Sequence, residues 1–109
     1  MSPEEKKRIL SELGGLPEEV YNSLVLELIT QTDQKVSEIK QALQDNDFDV
    51  IAKLAHSVKG AAGNLRIFAV HEAARDVEME AKESRRGLLI EEKLAAIISC
   101  LAELRSCFL

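Results

Sequence analysis

The sequence has few prolines and few aromatic residues. It contains no tryptophan and 4% aromatic residues, and its only two prolines are Pro3 and Pro17. Because proline breaks helix interiors and marks turns, the proline-free stretch 18–109 argues against the turn-dense pattern of a sandwich or barrel. We therefore expect long helices and an all-α fold.

Other absences narrow the classes of function. The net charge is −5 and the chain has no basic stripe, which argues against nucleic acid as a partner. No run of eighteen apolar residues and no secretory leader pattern are present, so we expect no membrane association. Cys100 and Cys107 lie about 10.5 Å apart along one helix, too far to bridge within it, and their spacing fits reduced thiols. We expect a soluble, cytoplasmic protein.

Start and stop signals divide the chain into one short and four long helices. Ser2 is a plausible N-cap before Pro3, Pro17 opens the second helix, and Asp47 caps the third. Gly14 is expected to end the first helix and Gly87 the fourth. The predicted helices cover residues 3–13, about 17–45, 47–65, 69–85 and about 90–107.

Each long helix carries apolar residues at helical spacing along one face. Such helices, joined by short loops, pack most simply as an antiparallel up-down four-helix bundle, with the short N-terminal helix as a lid on one end. A chain of 109 residues without repeats or linkers fits a single domain, 1–109. The predicted core stripes are Tyr21, Val25, Leu28, Ile29, Val36, Ile39 and Leu43; Phe48, Ile51, Ala55, Val58, Ala62 and Leu65; Val70, Ala73, Ala74, Val77 and Ala81; and Ile90, Leu94, Ile97, Ile98, Leu101 and Leu104.

The third helix departs from a plain bundle because it contains Gly60 and Gly63 in its interior. Each interior glycine costs about 1 kcal/mol relative to alanine, so a compensating role is expected. On a helical wheel these glycines share the outer face with Ala52, His56 and Lys59. An imidazole with such small neighbours is accessible to another protein, and an ammonium group three residues onward can hold an anion. The alternatives are an ordinary solvated histidine and glycines that serve close helix packing.

These residues resemble the signature of the histidine-containing phosphotransfer (HPt) domains of two-component phosphorelays. The signature is His-x-x-Lys-Gly followed by small residues and a polar-apolar pair. The segment before the histidine is also similar to that of the family. So is an apolar-acid pair on the next helix. One position departs from the family, because Arg66 stands where HPt domains commonly have glycine. The turn after the third helix is then either built differently or capped by Asn64. The matching residues are His56, Lys59, Gly60, Ala61, Ala62, Asn64 and Leu65, with Asp47 and 51–55 upstream and Val77 and Glu78 downstream.

The resemblance implies that His56 accepts a phosphoryl group from the aspartyl phosphate of one receiver domain and relays it to another. His56 would attack phosphorus through Nε2 of a neutral imidazole, and Lys59 would lie near the phosphoryl oxygens. The receiver brings Mg²⁺, so no cofactor is expected on this chain. The family also places Glu or Gln at the position of Glu78, which we expect to accept a hydrogen bond from Nδ1 of His56. A solvated glutamate, paired with Lys82 along the fourth helix, is the alternative.

The expected partners are the receiver domains of response regulators and a hybrid sensor histidine kinase. Ala52, Gly60 and Gly63 would form the flat centre of the docking surface, and Lys53, Asn64 and Arg66 would surround it, with Arg75 as a further cation. His71 lies outside the signature and is expected at the surface. We expect a monomer, and the capped helix that begins directly after Met1 favours a free-standing protein over a piece of a hybrid kinase.

Three other functions compete with phosphotransfer as interpretations of the sequence. A di-metal carboxylate bundle needs Glu three residues before each histidine, where this chain has Lys53 and Phe68, so it fails. Kinase or hydrolase activity is not supported, because the sequence contains neither a phosphate-binding glycine loop nor a nucleophile elbow. A helical adapter, or pseudo-HPt domain, that binds receivers without carrying phosphate stays open, although the presence of both His56 and Lys59 argues against it.

Overall fold

The computed structural model describes residues 1–109 and contains five α-helices and no strand, which confirms the all-α class. The two ends of α2 lie within one residue of their predicted positions, whereas α5 begins three residues earlier than predicted. No helix is both long enough and apolar enough to cross a membrane. The helices are α1 (Pro3–Glu12), α2 (Glu18–Gln44), α3 (Phe48–Asn64), α4 (Phe68–Glu83) and α5 (Gly87–Phe108).

One hydrophobic cluster draws on all five helices. Its members include Ile9 of α1, Val36 of α2, Val58 of α3, Val77 of α4 and Ile97 of α5. The predicted stripes supply most of this core, with five exceptions. Ile98 is exposed, and the half-buried exceptions are Leu43, Phe48, Leu65 and Leu104.

The four long helices contact one another in the order α2, α3, α4, α5 and back to α2. Helix α1 lies where α2 begins and where α3 and α5 end. There Lys6 pairs with Glu18 at 3.0 Å and lies over the ring of Phe108, while Glu12 faces Arg66. The short helix therefore covers one end of the molecule.

Gly87 was expected to end the fourth helix. It is instead the first residue of α5. Helix α4 ends at Glu83, and the residue that leaves the helix in a left-handed conformation is Arg85, with φ of 52°. The prediction was wrong because glycine favours a left-handed position without being required there. The side chain of Arg85 also reaches back to Asp49, 3.3 Å away.

The turn after α3 is closed by Arg66, the residue that stands in the place of the usual glycine. Arg66 adopts φ of 60°, its N–H donates to the carbonyl of Gly63 at 3.1 Å, and the N–H of Ile67 donates to that of Ala62 at 2.9 Å. This is the hydrogen-bonding pattern with which a left-handed glycine ordinarily ends a helix. The turn is thus built in the usual way with an unusual residue, and Asn64 does not supply the cap.

Tyr21 ties the start of α2 to this same turn. Its ring is fully buried, and its hydroxyl donates to the carbonyl of Leu65 at 2.6 Å, which satisfies an acceptor left free at the helix end. Burial, with a smaller contribution from Glu5, raises the pKa of Tyr21 to about 12. The phenol is therefore protonated, and able to donate, throughout the neutral range.

We expect Arg66→Gly to be more stable than Arg66→Ala. Both substitutions remove the guanidinium contacts, but only glycine removes the cost of holding a Cβ in the left-handed region, about 1–2 kcal/mol. Part of this gain is lost because glycine has more freedom in the unfolded chain. The free energies of unfolding in urea should differ by about 1 kcal/mol in favour of glycine.

The matched control is Asn64, whose backbone is helical. There the order should reverse, with Asn64→Gly about 0.5–1 kcal/mol less stable than Asn64→Ala. The same order at both positions would contradict this account of Arg66.

Candidate functional site

His56 lies in the middle of α3 and presents an open imidazole. Its side chain is 66% exposed, and Nδ1 lies 2.9 Å from Oε2 of Glu78 on α4. A carboxylate accepts but does not donate, so Nδ1 must carry the proton. In the neutral ring this leaves the lone pair on Nε2, the nitrogen that faces away from the contact with Glu78.

Glu78 is buried and receives hydrogen bonds from three side chains. Only 5% of its side chain is exposed. Oε1 lies 2.6 Å from Nζ of Lys59, and Oε2 accepts from Nζ of Lys82 at 2.9 Å as well as from His56. The interpretation of Glu78 as a solvated glutamate is therefore wrong, although the expected contact with Lys82, four residues later on α4, is present.

The surroundings of Glu78 keep its carboxylate ionised. Burial by itself would raise the pKa of Glu78, but the hydrogen bonds from Lys59, Lys82 and His56 outweigh it and lower this pKa from 4.5 to about 2. A buried charge with this many donors is stabilised where an unpaired one would be strongly destabilising. Glu78 is thus an anion beside the imidazole throughout the neutral range.

An open groove of about 520 Å³ runs beside His56 between α3 and α4, with Lys53 and Lys82 among its lining residues. Ala52 also lines this groove but is only 7% exposed. The prediction that Ala52 forms the flat outer centre of the site was wrong, because α4 packs beside that edge of α3. Ala52 contributes the small floor of the groove instead.

The two interior glycines of α3 have different surroundings. Nothing lies within 4 Å of where a Cβ on Gly60 would be, whereas a Cβ on Gly63 would be 3.0 Å from Nδ1 of His71. His71 was expected at the surface but is half-buried, and Nδ1 donates to the carbonyl of Lys59 at 2.9 Å. Gly63 therefore makes room for a ring that joins α4 to α3, and Gly60 keeps the surface beside His56 open.

The family model described as Hpt domain matches residues 23–107, which covers α3, α4, most of α2 and nearly all of α5. The chain belongs to the HPt domain family. HPt domains take part in two-component phosphorelays, in which they interact with the receiver domains of response regulators. No curated protein and no solved structure matches the chain significantly.

The remaining residues of the expected HPt docking surface lie at different distances from His56. Lys53 is exposed and lies one turn before it, and Asn64 is exposed near the end of α3. Arg66 lies two residues beyond the end of α3, more than two helical turns after His56. Its guanidinium contacts the carbonyl of Gly63 at 3.1 Å and the carboxylate of Glu12 at 3.6 Å, so it faces α1.

Two features of this site do not follow from the sequence patterns. Helical spacing predicts Lys82 only as a partner of Glu78 along α4, and the bond from His71 to a backbone carbonyl has no side-chain pattern. The four-residue spacing from Glu78 to Lys82 was the available signal, because it places both on one face of α4. No group of three or more His, Cys, Asp or Glu side chains lies close enough together to hold a metal ion.

Alanine substitutions at the two glycines should separate their roles. Gly60→Ala should raise the free energy of unfolding by about 0.5–1 kcal/mol, because the methyl group meets open space and alanine favours the helix. Gly63→Ala should be at least about 1 kcal/mol less stable than Gly60→Ala, because its methyl group displaces the His71 ring. Thermal or urea unfolding of the two variants measures the difference.

The same pair made in a His71→Ala background provides the control. Without the ring, the methyl group at residue 63 has room, and the two alanine substitutions should then differ little. A difference that persists without His71 would show that crowding by this ring is not the cause.

Glu78 should make stability depend on pH in the acid range. Because the pKa of Glu78 falls from 4.5 in the unfolded chain to about 2 in the folded one, its contribution is present above about pH 4.5 and is lost as the pH falls toward 2. Glu78→Gln should remove this component, up to about 3 kcal/mol. Unfolding measured between about pH 6 and pH 2 tests this, with the exposed Glu72→Gln on α4 as the control that keeps the wild-type slope.

Proposed function

We propose that this HPt domain is a phosphohistidine carrier, and that His56 accepts a phosphoryl group from one receiver domain and passes it to another. The observation that carries the proposal is the environment of the ring. Nδ1 is engaged by a buried carboxylate at 2.9 Å while the side chain is 66% exposed. The free nitrogen of a neutral imidazole is thus available to a partner protein, as nucleophilic catalysis by histidine requires.

The lone pair of Nε2 attacks the phosphorus of the aspartyl phosphate on the receiver. The P–Nε2 bond forms as the P–O bond to aspartate breaks, and that electron pair returns to the aspartate carboxylate. The ring keeps its proton on Nδ1 and becomes positively charged, which the Glu78 carboxylate stabilises through their hydrogen bond. Transfer to the second receiver reverses these steps.

Lys59 is proposed to offset charge on the phosphoryl oxygens. It lies one turn after His56 and is anchored to Glu78 at 2.6 Å. Phosphoryl transfer depends mainly on positioning and on neutralising the equatorial oxygens, a role that fits an ammonium group at this place. The Mg²⁺ belongs to the receiver in this scheme, and the HPt domain needs no cofactor of its own.

A receiver, or the receiver of a hybrid sensor kinase, is proposed to dock over the exposed side of α3. Gly60 provides a surface without side chains beside His56, and Lys53 and Lys82 supply positive charge at the groove. Receivers present an acidic pocket, so charge complementarity would favour association at low salt. The domain would act as a monomer.

We further propose that the four long helices form an antiparallel up-down bundle and that residues 1–109 are one domain. The closed order of helix contacts and the short turns between successive helices support the bundle. Ile9 of α1, 2% exposed within the common core, supports a single domain. Two free thiols, Cys100 and Cys107, fit a cytoplasmic location.

Phosphate transfer from a labelled receiver tests the carrier role. Wild type should acquire acid-labile, base-stable phosphate, and His56→Gln should acquire none, because the amide cannot replace the nucleophilic nitrogen. Lys59→Ala should slow transfer about 10²-fold, with unchanged helical content by circular dichroism. The exposed Lys40→Ala on α2 serves as the matched control.

Equal labelling of wild type and His56→Gln would rule out His56 as the carrier. Binding of receivers without any labelling of the wild type would favour the adapter function instead. Unchanged transfer rates in Lys59→Ala would remove Lys59 from the mechanism.

A further inference from the structure

The Oε2 atom of Glu78 is shared by two donors from different helices. It accepts from Nδ1 of His56 at 2.9 Å and from Nζ of Lys82 at 2.9 Å, while Oε1 accepts from Lys59. One carboxylate therefore faces the imidazole and two ammonium groups at once. The pull of Glu78 on the ring proton depends on how much of its charge the lysines already offset.

We propose that Lys82 is a positioning residue of the transfer site, which acts through Glu78 to weaken the hold on the Nδ1 proton and thereby prolongs the life of the phosphohistidine. The inference rests on the proposed carrier function of His56. It assigns to Lys82 a role that neither the HPt signature nor the contact of Glu78 with His56 implies.

The chemistry of the phosphorylated ring gives the reason. After attack, the ring carries phosphorus on Nε2 and a proton on Nδ1, and it is positively charged. When the P–Nε2 bond breaks, its electron pair returns to Nε2 and the ring leaves as neutral imidazole, while the phosphoryl group goes to water or to an aspartate. If the Nδ1 proton is lost first, the leaving ring would be an anion, and the bond breaks far more slowly.

Glu78 favours the protonated, reactive ring, and the positive charges around it oppose that effect. The charged groups near His56 are Asp49, Lys53 and Lys59 of α3 and Glu78 and Lys82 of α4. Asp49 is paired with Arg85 at 3.3 Å, outside the contact with the ring. Among the lysines, Lys82 touches the same oxygen as the imidazole, so its charge acts most directly on the Nδ1 hydrogen bond.

Lys82 also suits a substitution experiment better than Lys59. Its side chain is 60% exposed and lies on the surface of α4, so its replacement leaves no cavity. Lys59 is proposed to contact the phosphoryl group itself, which would mix two effects. Because Lys82 is exposed, solvent and salt screen its charge, and the effect should be moderate.

The test follows the hydrolysis of phosphorylated protein as a function of pH. Wild type, Lys82→Met and Lys82→Gln are labelled by a phosphorylated receiver or by phosphoramidate, separated from the donor, and incubated between about pH 5 and pH 9. The half-life of the phosphoprotein should fall about threefold near neutral pH in both variants. The pH at which the hydrolysis rate is half-maximal should also move upward.

The controls retain the charge at the site or remove a charge elsewhere. Lys82→Arg should keep the wild-type profile, and Lys40→Met, at an exposed position of α2, should do the same. The difference between wild type and Lys82→Met should shrink at about 1 M salt. Circular dichroism checks that each variant is folded.

Each contrary result has a distinct meaning. Identical profiles for wild type and Lys82→Met would overturn the role of Lys82 while leaving the carrier function intact. Shortening by the same factor at every pH would also overturn it, because a direct contact with the phosphoryl group predicts that pattern. Failure of both donors to label the wild type would overturn the carrier function and this inference together.

Discussion

The buried carboxylate of Glu78 is the interaction on which the site depends. A charge between two packed helices is stable only where donors surround it, and here the donors come from both helices: His56 and Lys59 from α3, and Lys82 from α4. The contacts from His56 and Lys59 join α3 to α4, and the contact from His56 fixes the protonated nitrogen of the imidazole. The apolar core packs the two helices, and Glu78 adds the electrostatic contact that sets the state of the histidine.

Helix composition and apolar spacing were enough to predict the class of the fold and most of its core. The stripe of α4, from Val70 to Ala81, is buried as its spacing indicates. Errors arose where a choice depends on tertiary contacts. Gly87 begins a helix because Arg85 takes the left-handed position instead, and a helical wheel does not show that α4 covers Ala52.

The parts of the site that lie within one helix were predictable from the sequence, whereas the contacts between helices were not. The spacing from His56 to Lys59 lies within one helix, where sequence separation fixes geometry. The contact of His56 with Glu78 crosses between helices and was suggested only by resemblance to a family. The bond from His71 to the carbonyl of Lys59 uses a backbone acceptor, which every residue has, so no pattern of side chains could single it out.

The ring of His71 in the space left by Gly63 has a consequence for motion. Along the α3–α4 interface, this contact and the contact between His56 and Glu78 lie about two helical turns apart, so together they fix the axial register of the two helices. A slide of one turn, about 5.4 Å, would separate Glu78 from His56 and drive the ring of His71 against the backbone of α3. Sliding between these helices is thus blocked at two points along their interface.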